Sequence, residues 1–172
     1  ERPARLTIIG AGPIGVEMAQ SFQRFGSQVQ LVEVAPKILL REDREAAKII
    51  EQALVEEGVE LYTGARIARI EGDEEQQRMY LEVDGKERVV ESDALLVAAG
   101  RKPNTSDLGL ETVGVELSER ETVIVDDRLR TTNPKIFSCG DVSSAFQFTH
   151  AADFLARIVI QNSLFFGRKK AS

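Results

Sequence analysis

Gly10-Ala-Gly-Pro-Ile-Gly15 is the most informative part of the sequence for the fold, because it joins an apolar run to a helical pattern. Residues 6–9 form a short, β-branched run typical of a strand, and Pro13 is a residue favoured in the first turn of a helix. A Gly-x-Gly-x-x-Gly between a strand and a helix is typical of a turn that receives the pyrophosphate of a dinucleotide. The unpaired N–H groups and the dipole of the following helix favour such an anion.

The three glycines have different physical reasons to be there. Gly10 permits the tight turn, Gly12 lets the backbone approach a pyrophosphate, and Gly15 lets the helix pack closely on the strand. The residues between them belong to the same predicted cofactor site: Ala11, Pro13 and Ile14.

The segments that follow this turn extend the pattern to β-α-β-α-β. The first helix is predicted to end at Gly26, residues 28–33 alternate as a second strand, residues 43–57 have helical spacing, and residues 59–62 form a third strand. This order predicts an α/β fold with a Rossmann-like parallel sheet and right-handed crossovers.

Glu33 gives the glycine pattern its specificity. It stands at the end of the second strand, about 20 residues after the turn, where a carboxylate can accept hydrogen bonds from an adenosine ribose. A carboxylate there also repels a 2′-phosphate, so NAD is favoured over NADP, although Arg41 and Arg44 leave NADP open. The alternative is a structural glycine turn followed by an exposed strand-end glutamate.

Beyond residue 64 the sequence pattern changes twice. Residues 65–90 alternate in short runs with turn signals at Gly72 and Gly85, which predicts an antiparallel β-meander. Residues 94–98 are expected to be a fully buried strand returning to the parallel sheet. After Gly100 we expect strands at 122–125 and 136–138 and a last helix at 148–166, which divides the chain into domains 1–100 and 101–172.

Composition argues against several classes of function. The net charge of −6 offers no electrostatic basis for binding nucleic acid or an anionic membrane, and no run approaches the roughly 20 apolar residues that span a bilayer. One cysteine cannot form an internal disulfide, and one histidine cannot build a metal site alone. We therefore expect a cytoplasmic protein whose partners are neither nucleic acid nor membrane, with no metal.

Three motifs in this order and spacing resemble the flavoprotein disulfide reductases, or class I pyridine nucleotide-disulfide oxidoreductases, in the branch of dihydrolipoamide dehydrogenase and mercuric reductase. They are IIGAGPIGVEMA at 8–19, LLVAAGRKPN at 95–104, and TTNPKIFSCGDV at 131–142 followed by FQFTHAADFLARI at 146–158. The resemblance implies that residues 1–100 are an NAD(P)H-binding domain. It implies that residues 101–172 are the C-terminal part of an FAD-binding domain.

The resemblance also adds single positions to the nicotinamide side of the site. Glu17 matches a glutamate near the nicotinamide and the flavin, Gly100 matches the glycine where the two domains meet, and Ile67 matches a position whose backbone borders the adenine. Each has a structural alternative: a carboxylate favoured by the helix dipole, a strand-end turn, and a core isoleucine.

On the flavin side, the resemblance implies that Asp141 holds the ribityl and diphosphate region of FAD. It places a helix N-terminus beside the flavin pyrimidine edge, formed by Gln147, Phe148, Thr149 and His150. Cys139 is expected to be a small buried hydrophobe in a strand and slow to react.

The family's first flavin fingerprint, redox-active cysteine pair and dimerisation domain find no match in this sequence. We therefore expect a piece of an enzyme that passes hydride from NAD(P)H to flavin and on to a disulfide or similar acceptor, itself inactive and not retaining FAD. Its apolar residues Phe154, Leu155, Ile158, Leu164 and Phe165 are expected to be exposed. Residues 101–172 are therefore expected either to dock irregularly on the NAD domain or to pair between chains in a homodimer unlike the family's own. An NADH oxidase or ferredoxin-reductase-like flavoprotein, and a stand-alone nucleotide-sensing module, remain alternatives.

Overall fold

Two sheets and two helices build the first part of the chain in the computed structural model, which describes residues 2–73, 76–165 and 167–171. The chain divides into two units, Glu1–Gly100 and Arg101–Ser172. The first unit contains, in chain order, β1 (Arg5–Ile9), α1 (Pro13–Arg24), β2 (Gln28–Val32), α2 (Arg44–Glu56), β3 (Glu60–Tyr62), β4 (Arg66–Gly72), β5 (Gln77–Val83), β6 (Lys86–Ser92) and β7 (Ala94–Val97).

The parallel sheet has the strand order β3-β2-β1-β7. β1 pairs with β2 in the register Ile8 to Leu31 and with β7 in the register Ile8 to Leu96, and both pairings are parallel. β2 pairs in parallel with β3. The Rossmann-like sheet predicted from the glycine turn is therefore confirmed.

Both helices of this unit begin and end as the sequence predicts. α1 starts with Pro13 in its first turn and buries Gly15, Val16 and Ala19. Gly26 follows it with a φ of +89°, a conformation that glycine adopts without steric cost. α2 starts after Asp43, whose carboxylate accepts hydrogen bonds from the N–H groups of the first turn.

The main core lies between the parallel sheet and the two helices, because the apolar faces of α1 and α2 turn toward the same side chains. Its buried members include Ile8, Leu31 and Leu54, all fully inaccessible to solvent. Removing such side chains from water is the dominant favourable contribution to folding, at about 25 cal/mol per Å² of apolar surface.

The meander forms a separate three-stranded antiparallel sheet of order β4-β5-β6, as predicted. It closes on a second core that includes Val32, Met79, Leu81 and Val90. The expectation of a fully buried strand at 94–98 is wrong: β7 is an edge strand of the parallel sheet, and 66% of Val97 is exposed. An edge strand is covered by a neighbour on one side only.

The second unit is sparser in regular structure. Its described elements are a 3₁₀ turn at Leu110–Val113 and the helix α3 at Thr149–Leu164. The strands expected at 122–125 and 136–138 are absent among the described residues, which there form only isolated bridges such as Leu117 to Val123. The N–H groups of Val123 and Ile124 donate to Val142 and Glu116, two different segments, so no continuous ladder forms.

α3 exposes much of its apolar surface. Phe154, Leu164 and Phe165 are exposed and Leu155 is half-buried, whereas Ile158 is buried, which corrects its expected exposure. Ile158 is the buried residue of this helix, whose other apolar side chains are half-buried or exposed. Phe166, the predicted end of the helix, lies outside the described residues.

Several hydrogen bonds within one pair of residues join the start of β1 to the turn before β7. The Arg5 guanidinium donates to Asp93 Oδ1 from Nη2 at 2.8 Å and from Nε at 3.1 Å, and the Arg5 N–H donates to Asp93 Oδ2 at 2.9 Å. These bonds hold the pKa of the Asp93 carboxyl below its ordinary value, with the Arg5 side chain as the largest cause. The carboxylate therefore stabilises the folded state.

Asp93→Asn is expected to lower the free energy of unfolding at pH 7. Because the folded pKa lies below the unfolded value of about 3.9, the stabilisation is fully present above that value and is lost as the pH falls through the folded pKa. Urea denaturation from pH 7 downward measures the difference between wild type and variant, with the exposed Glu87→Gln as a control. A difference that stays constant down to pH 3 would contradict this assignment.

Candidate functional site

The loops that leave the parallel strands gather at one edge of the sheet. The Gly10 N–H donates to Val32 O at 2.8 Å, the Glu33 N–H donates to Tyr62 O at 2.8 Å, and the Ala98 N–H donates to Ile9 O at 2.7 Å. The chain runs from β1 toward β3 on one side and returns to β7 on the other, so a topological switch point lies between β1 and β7. Open α/β sheets bind ligands in the crevice at such a point.

The three glycines of the turn meet three different surroundings. A Cβ on Gly10 would lie 2.6 Å from Ala98 O, and one on Gly15 would lie 1.8 Å from Gly10 O. Gly10 also has a φ of +100°. A Cβ on Gly12 would meet no described atom within 4 Å. Gly10 and Gly15 are therefore required by the protein itself, whereas Gly12 faces open space that a ligand can approach.

The N-terminus of α1 points its backbone at this open space. Gly12 is the N-cap residue and offers no side chain to the first turn, in which Pro13 has no N–H. No acidic residue stands in the first turn of this helix. The N–H groups in the first turn of α1 and the positive end of the helix dipole are therefore available to an anion.

Glu33 lies directly beside the glycine turn. Its Oε2 accepts a hydrogen bond from the Ala11 N–H at 2.7 Å, and its Oε1 accepts one from the Ala35 N–H at 2.8 Å. The side chain is half-buried. An ionised carboxylate has about four acceptor positions, so both oxygens can accept further bonds from a ligand.

Apolar side chains border this edge of the sheet. Ile14, in the first turn of α1, is 46% exposed, and Val34, next to Glu33, is 66% exposed. Leu40 is also exposed. Binding sites for organic cofactors combine such apolar surface with a few polar groups, and the glycine turn and Glu33 supply the polar groups here.

The remaining predicted residues of the first unit are more scattered. Glu17 is exposed on α1, one turn beyond Pro13. Ile67 lies on β4, half-buried against the second core, which agrees with its structural alternative. Gly100 is exposed at the end of the unit with a φ of +130°, a conformation suited to glycine.

The second unit has a cleft of about 370 Å³ around Asp141. One Asp141 oxygen accepts a hydrogen bond from Arg101 Nη1 at 2.6 Å, and the same nitrogen donates to Gln147 O at 2.8 Å. Sequence analysis assigned no role to Arg101, although it belongs to the LLVAAGRKPN motif. The residues that line the cleft are Arg101, Lys102, Pro103, Asn104, Asp141, Val142 and Gln147.

The residues predicted to begin the last helix do so. Phe148 is the N-cap residue and Thr149 is the first residue of α3. The rings of Phe148 and His150 stack, with centroids 5.4 Å apart and planes inclined by 12°. Both side chains are exposed, so the stacked pair is accessible to a ligand or to another surface.

Cys139 differs from expectation in two respects. It lies outside any regular strand, and its side chain is half-buried, whereas burial in a strand was expected. Partial burial raises the pKa of its thiol, because burial disfavours the charged thiolate. The direction of this shift opposes reactivity, since the thiolate is the nucleophile.

Two kinds of feature are absent from the described ranges, a membrane-spanning helix and a metal-binding cluster. None of the helices there has the length and apolarity needed to cross a bilayer. Those ranges also contain no group of three or more His, Cys, Asp or Glu side chains placed to hold a metal ion.

The motifs and the fold both match known proteins. A family profile described as pyridine nucleotide-disulphide oxidoreductase matches residues 1–154. Mercuric reductase of Bacillus cereus is 40% identical over 162 residues, which are 94% of this chain and 26% of that protein. Dihydrolipoyl dehydrogenase of Geobacillus stearothermophilus is 34% identical over 161 residues, which are 94% of this chain and 34% of that protein.

A solved structure gives the same result in three dimensions. The HOCl-induced flavoprotein disulfide reductase RclA from Escherichia coli superposes with a TM-score of 0.87 at 38% sequence identity, over 99% of this chain and 38% of that one. The chain thus spans about a quarter to two fifths of the length of the relatives it matches. The mixed α/β fold with its parallel and antiparallel sheets is the fold of these flavoproteins.

The second and third glycines of the turn, Gly12 and Gly15, are expected to separate binding from folding. Gly12→Ala places a Cβ in open space and at an ordinary φ of −74°, so the free energy of unfolding should change by less than about 0.5 kcal/mol. NADH should bind about tenfold or more weakly, because the new methyl group obstructs the approach of a pyrophosphate.

Gly15→Ala is the matched variant. Its Cβ would overlap the Gly10 carbonyl, so the free energy of unfolding should fall by about 1–3 kcal/mol despite the higher helix propensity of alanine. Urea denaturation and NADH titration measure the two quantities. Equal losses of stability in both variants would show that Gly12 is also a packing position.

The Cys139 thiol is expected to react with a maleimide or disulfide reagent more slowly in the native protein than in urea. Partial burial restricts access and raises the thiol pKa, so less thiolate is present at pH 7.5. Labelling followed by mass spectrometry gives both rates. A native rate equal to the unfolded rate would contradict the prediction.

Proposed function

This chain belongs to the pyridine nucleotide-disulphide oxidoreductase family, and from that membership we propose that its first unit binds a nicotinamide adenine dinucleotide, with NAD(H) preferred over NADP(H). The dinucleotide lies across the carboxyl edge of the parallel sheet. Its pyrophosphate rests on the glycine turn and its adenosine ribose faces Glu33. The relatives named above are oxidoreductases, so the class of chemistry follows from the family.

The observation that carries this proposal is the position of the Glu33 carboxylate against the glycine turn. A pyrophosphate at the N-terminus of α1 and a ribose at the end of β2 are neighbours within one adenosine diphosphate. The 2.7 Å bond from the Ala11 N–H to Glu33 supports this, because it joins the turn of the proposed phosphate subsite to the residue of the proposed ribose subsite. The open surface above Gly12 supplies room for the phosphates.

The preference for NAD(H) rests on charge. A 2′-phosphate carries close to two negative charges at neutral pH, and it would lie against the half-buried Glu33 carboxylate. Arg41, on the segment leading into α2, and Arg44, the first residue of α2, are both exposed. The NADP alternative depends on these two residues, because an arginine near the ribose can accommodate a 2′-phosphate.

The second unit is proposed to contribute to an FAD site. The cleft around Asp141 combines a carboxylate, which accepts from ribityl hydroxyls, with the cations Arg101 and Lys102, which suit a diphosphate. The N-terminus of α3 would face the flavin with its positive dipole end. When bound, a nicotinamide and a flavin supply hydride transfer, and the residues of this chain bind, orient and provide the electrostatic surroundings.

The whole protein is proposed to pass electrons to a disulfide or a similar acceptor. Relatives of this chain carry the names mercuric reductase and dihydrolipoyl dehydrogenase, and the residues described here do not distinguish between their acceptors. Residues 1–172 by themselves are proposed to bind nucleotide without turnover and without retaining FAD. A homodimer is the proposed assembly, since α3 presents exposed apolar side chains.

NADH is expected to bind at least about tenfold more tightly than NADPH, which corresponds to about 1.4 kcal/mol. Glu33→Ala should weaken NADH binding by about 1–2 kcal/mol, because hydrogen bonds to a charged group are lost. It should weaken NADPH binding less, because the repulsion of the 2′-phosphate is removed as well. Fluorescence titration of both nucleotides at one salt concentration measures these affinities.

Glu56→Gln is a matched control, since Glu56 is an exposed carboxylate on α2 and lies outside the proposed site. It should leave both affinities unchanged. Comparable affinities of the wild type for NADH and NADPH would refute the preference. Absence of measurable binding for either nucleotide would refute the proposed site.

A further inference from the structure

We infer that Glu33 has a second role in this site, as the positioning residue that holds the glycine-rich turn in its binding geometry. Recognition of the ribose and the shape of the phosphate-binding turn then depend on one carboxylate. This inference adds a role for Glu33 within the dinucleotide site proposed above, and it rests on that proposal. Its first test requires no ligand.

The peptide groups of Ala11 are held on both sides. The Ala11 N–H donates to Glu33 Oε2 at 2.7 Å, and the Ala11 carbonyl accepts from the Leu39 N–H at 2.8 Å. Both partners come from the single segment that follows β2. Ala11 is fully buried, so solvent cannot replace either bond without local opening of the structure.

The segment that follows β2 and binds Ala11 is itself held by hydrogen bonds. Glu33 Oε1 accepts from the Ala35 N–H at 2.8 Å, and the Ala35 carbonyl accepts from the Gly64 N–H at 2.8 Å. Leu39 has a φ of +48° and a buried side chain. A leucine adopts that backbone conformation only when its surroundings impose it, so the segment is held by its packing.

The glycine turn needs such an external anchor. Gly10 and Gly12 flank Ala11, and glycine backbone moves freely between conformations that other residues cannot adopt. Without the bonds at Ala11, the direction of the N–H groups that meet the pyrophosphate is poorly defined. A hydrogen bond to an ionised carboxylate is about twice as strong as one between neutral groups, which suits Glu33 to this role.

The two roles of Glu33 together affect the preference between NAD(H) and NADP(H). Replacing Glu33 to admit a 2′-phosphate also removes the acceptor of the Ala11 N–H. The preference for NAD(H) is therefore not reversed by a change at Glu33 alone, since the same change loosens the turn that both cofactors need. To reverse the preference, the residue at position 33 has to lose its negative charge and still accept the Ala11 N–H.

Amide hydrogen exchange of the ligand-free protein tests the role directly. In Glu33→Ala, the amides of Ala11 and Leu39 should exchange about tenfold or more faster, while amides within β1 and β2 change by less than about twofold. Glu33→Gln keeps one acceptor oxygen, for which the N–H groups of Ala11 and Ala35 compete, and should give intermediate exchange. Unchanged exchange at Ala11, or an equal increase at all amides, would overturn the inference.

Inorganic pyrophosphate is the second probe, because it has no ribose. Glu33→Ala and Glu33→Gln both remove the charge, and only the glutamine keeps an acceptor for the Ala11 N–H. Pyrophosphate should therefore bind the alanine variant about fivefold more weakly than the glutamine variant, as followed by NMR shift titration. Equal affinities for the two variants would contradict the positioning role.

The two tests also separate this inference from the proposed function. If the wild type bound neither pyrophosphate nor NADH, the dinucleotide site would be refuted. Exchange at Ala11 would still decide whether Glu33 holds the turn. Glu56→Gln serves as the control in both experiments and should behave as the wild type.

Discussion

The approach of Gly15 to the carbonyl of Gly10 is the contact on which the rest of the first unit depends. A hydrogen atom is the only side chain that fits there, since a Cβ would lie 1.8 Å from the carbonyl oxygen. This closeness directs α1 back along the sheet immediately after β1. The N-terminus of the helix consequently faces the space beyond the carboxyl ends of the strands, where a crossover topology already leaves a crevice.

The segment after β2 completes this arrangement. It supplies Glu33 as an acceptor for the Ala11 N–H and Leu39 as a donor to the Ala11 carbonyl. The glycine turn is therefore not an independent loop, because its middle peptide groups are bonded to the neighbouring strand connection. A group that recognises one part of a ligand can in this way also shape the surface that recognises another part.

The second unit has less regular secondary structure than the first. Its backbone bonds go to several segments in turn, and its longest element, α3, buries only Ile158 fully. Arg101 joins Asp141 and the Gln147 carbonyl across about 40 residues of sequence. The flavin role proposed for this cleft depends on how Arg101 and Asp141 share it with a ligand.

Local patterns determined the main features of the first unit by themselves. The period-2 runs, the helical spacing and the Gly-x-Gly-x-x-Gly each depend on near neighbours, so β1, α1 and the turn between them could be predicted from the residues alone. The meander followed from its two glycine turn signals. Glu33 lies beside the turn because the register of β1 with β2 brings the end of β2 next to it.

Only the tertiary structure decided what those residues contact. The bonds of Glu33 to Ala11 and Ala35, the edge position of β7 and the half-buried state of Cys139 all depend on which distant segments arrive beside them. The same reason explains why the strands expected at 122–125 and 136–138 are reduced to isolated bridges, although their residues have high β propensity. A strand needs a partner along its whole length, and a sequence pattern describes only one side of that pairing.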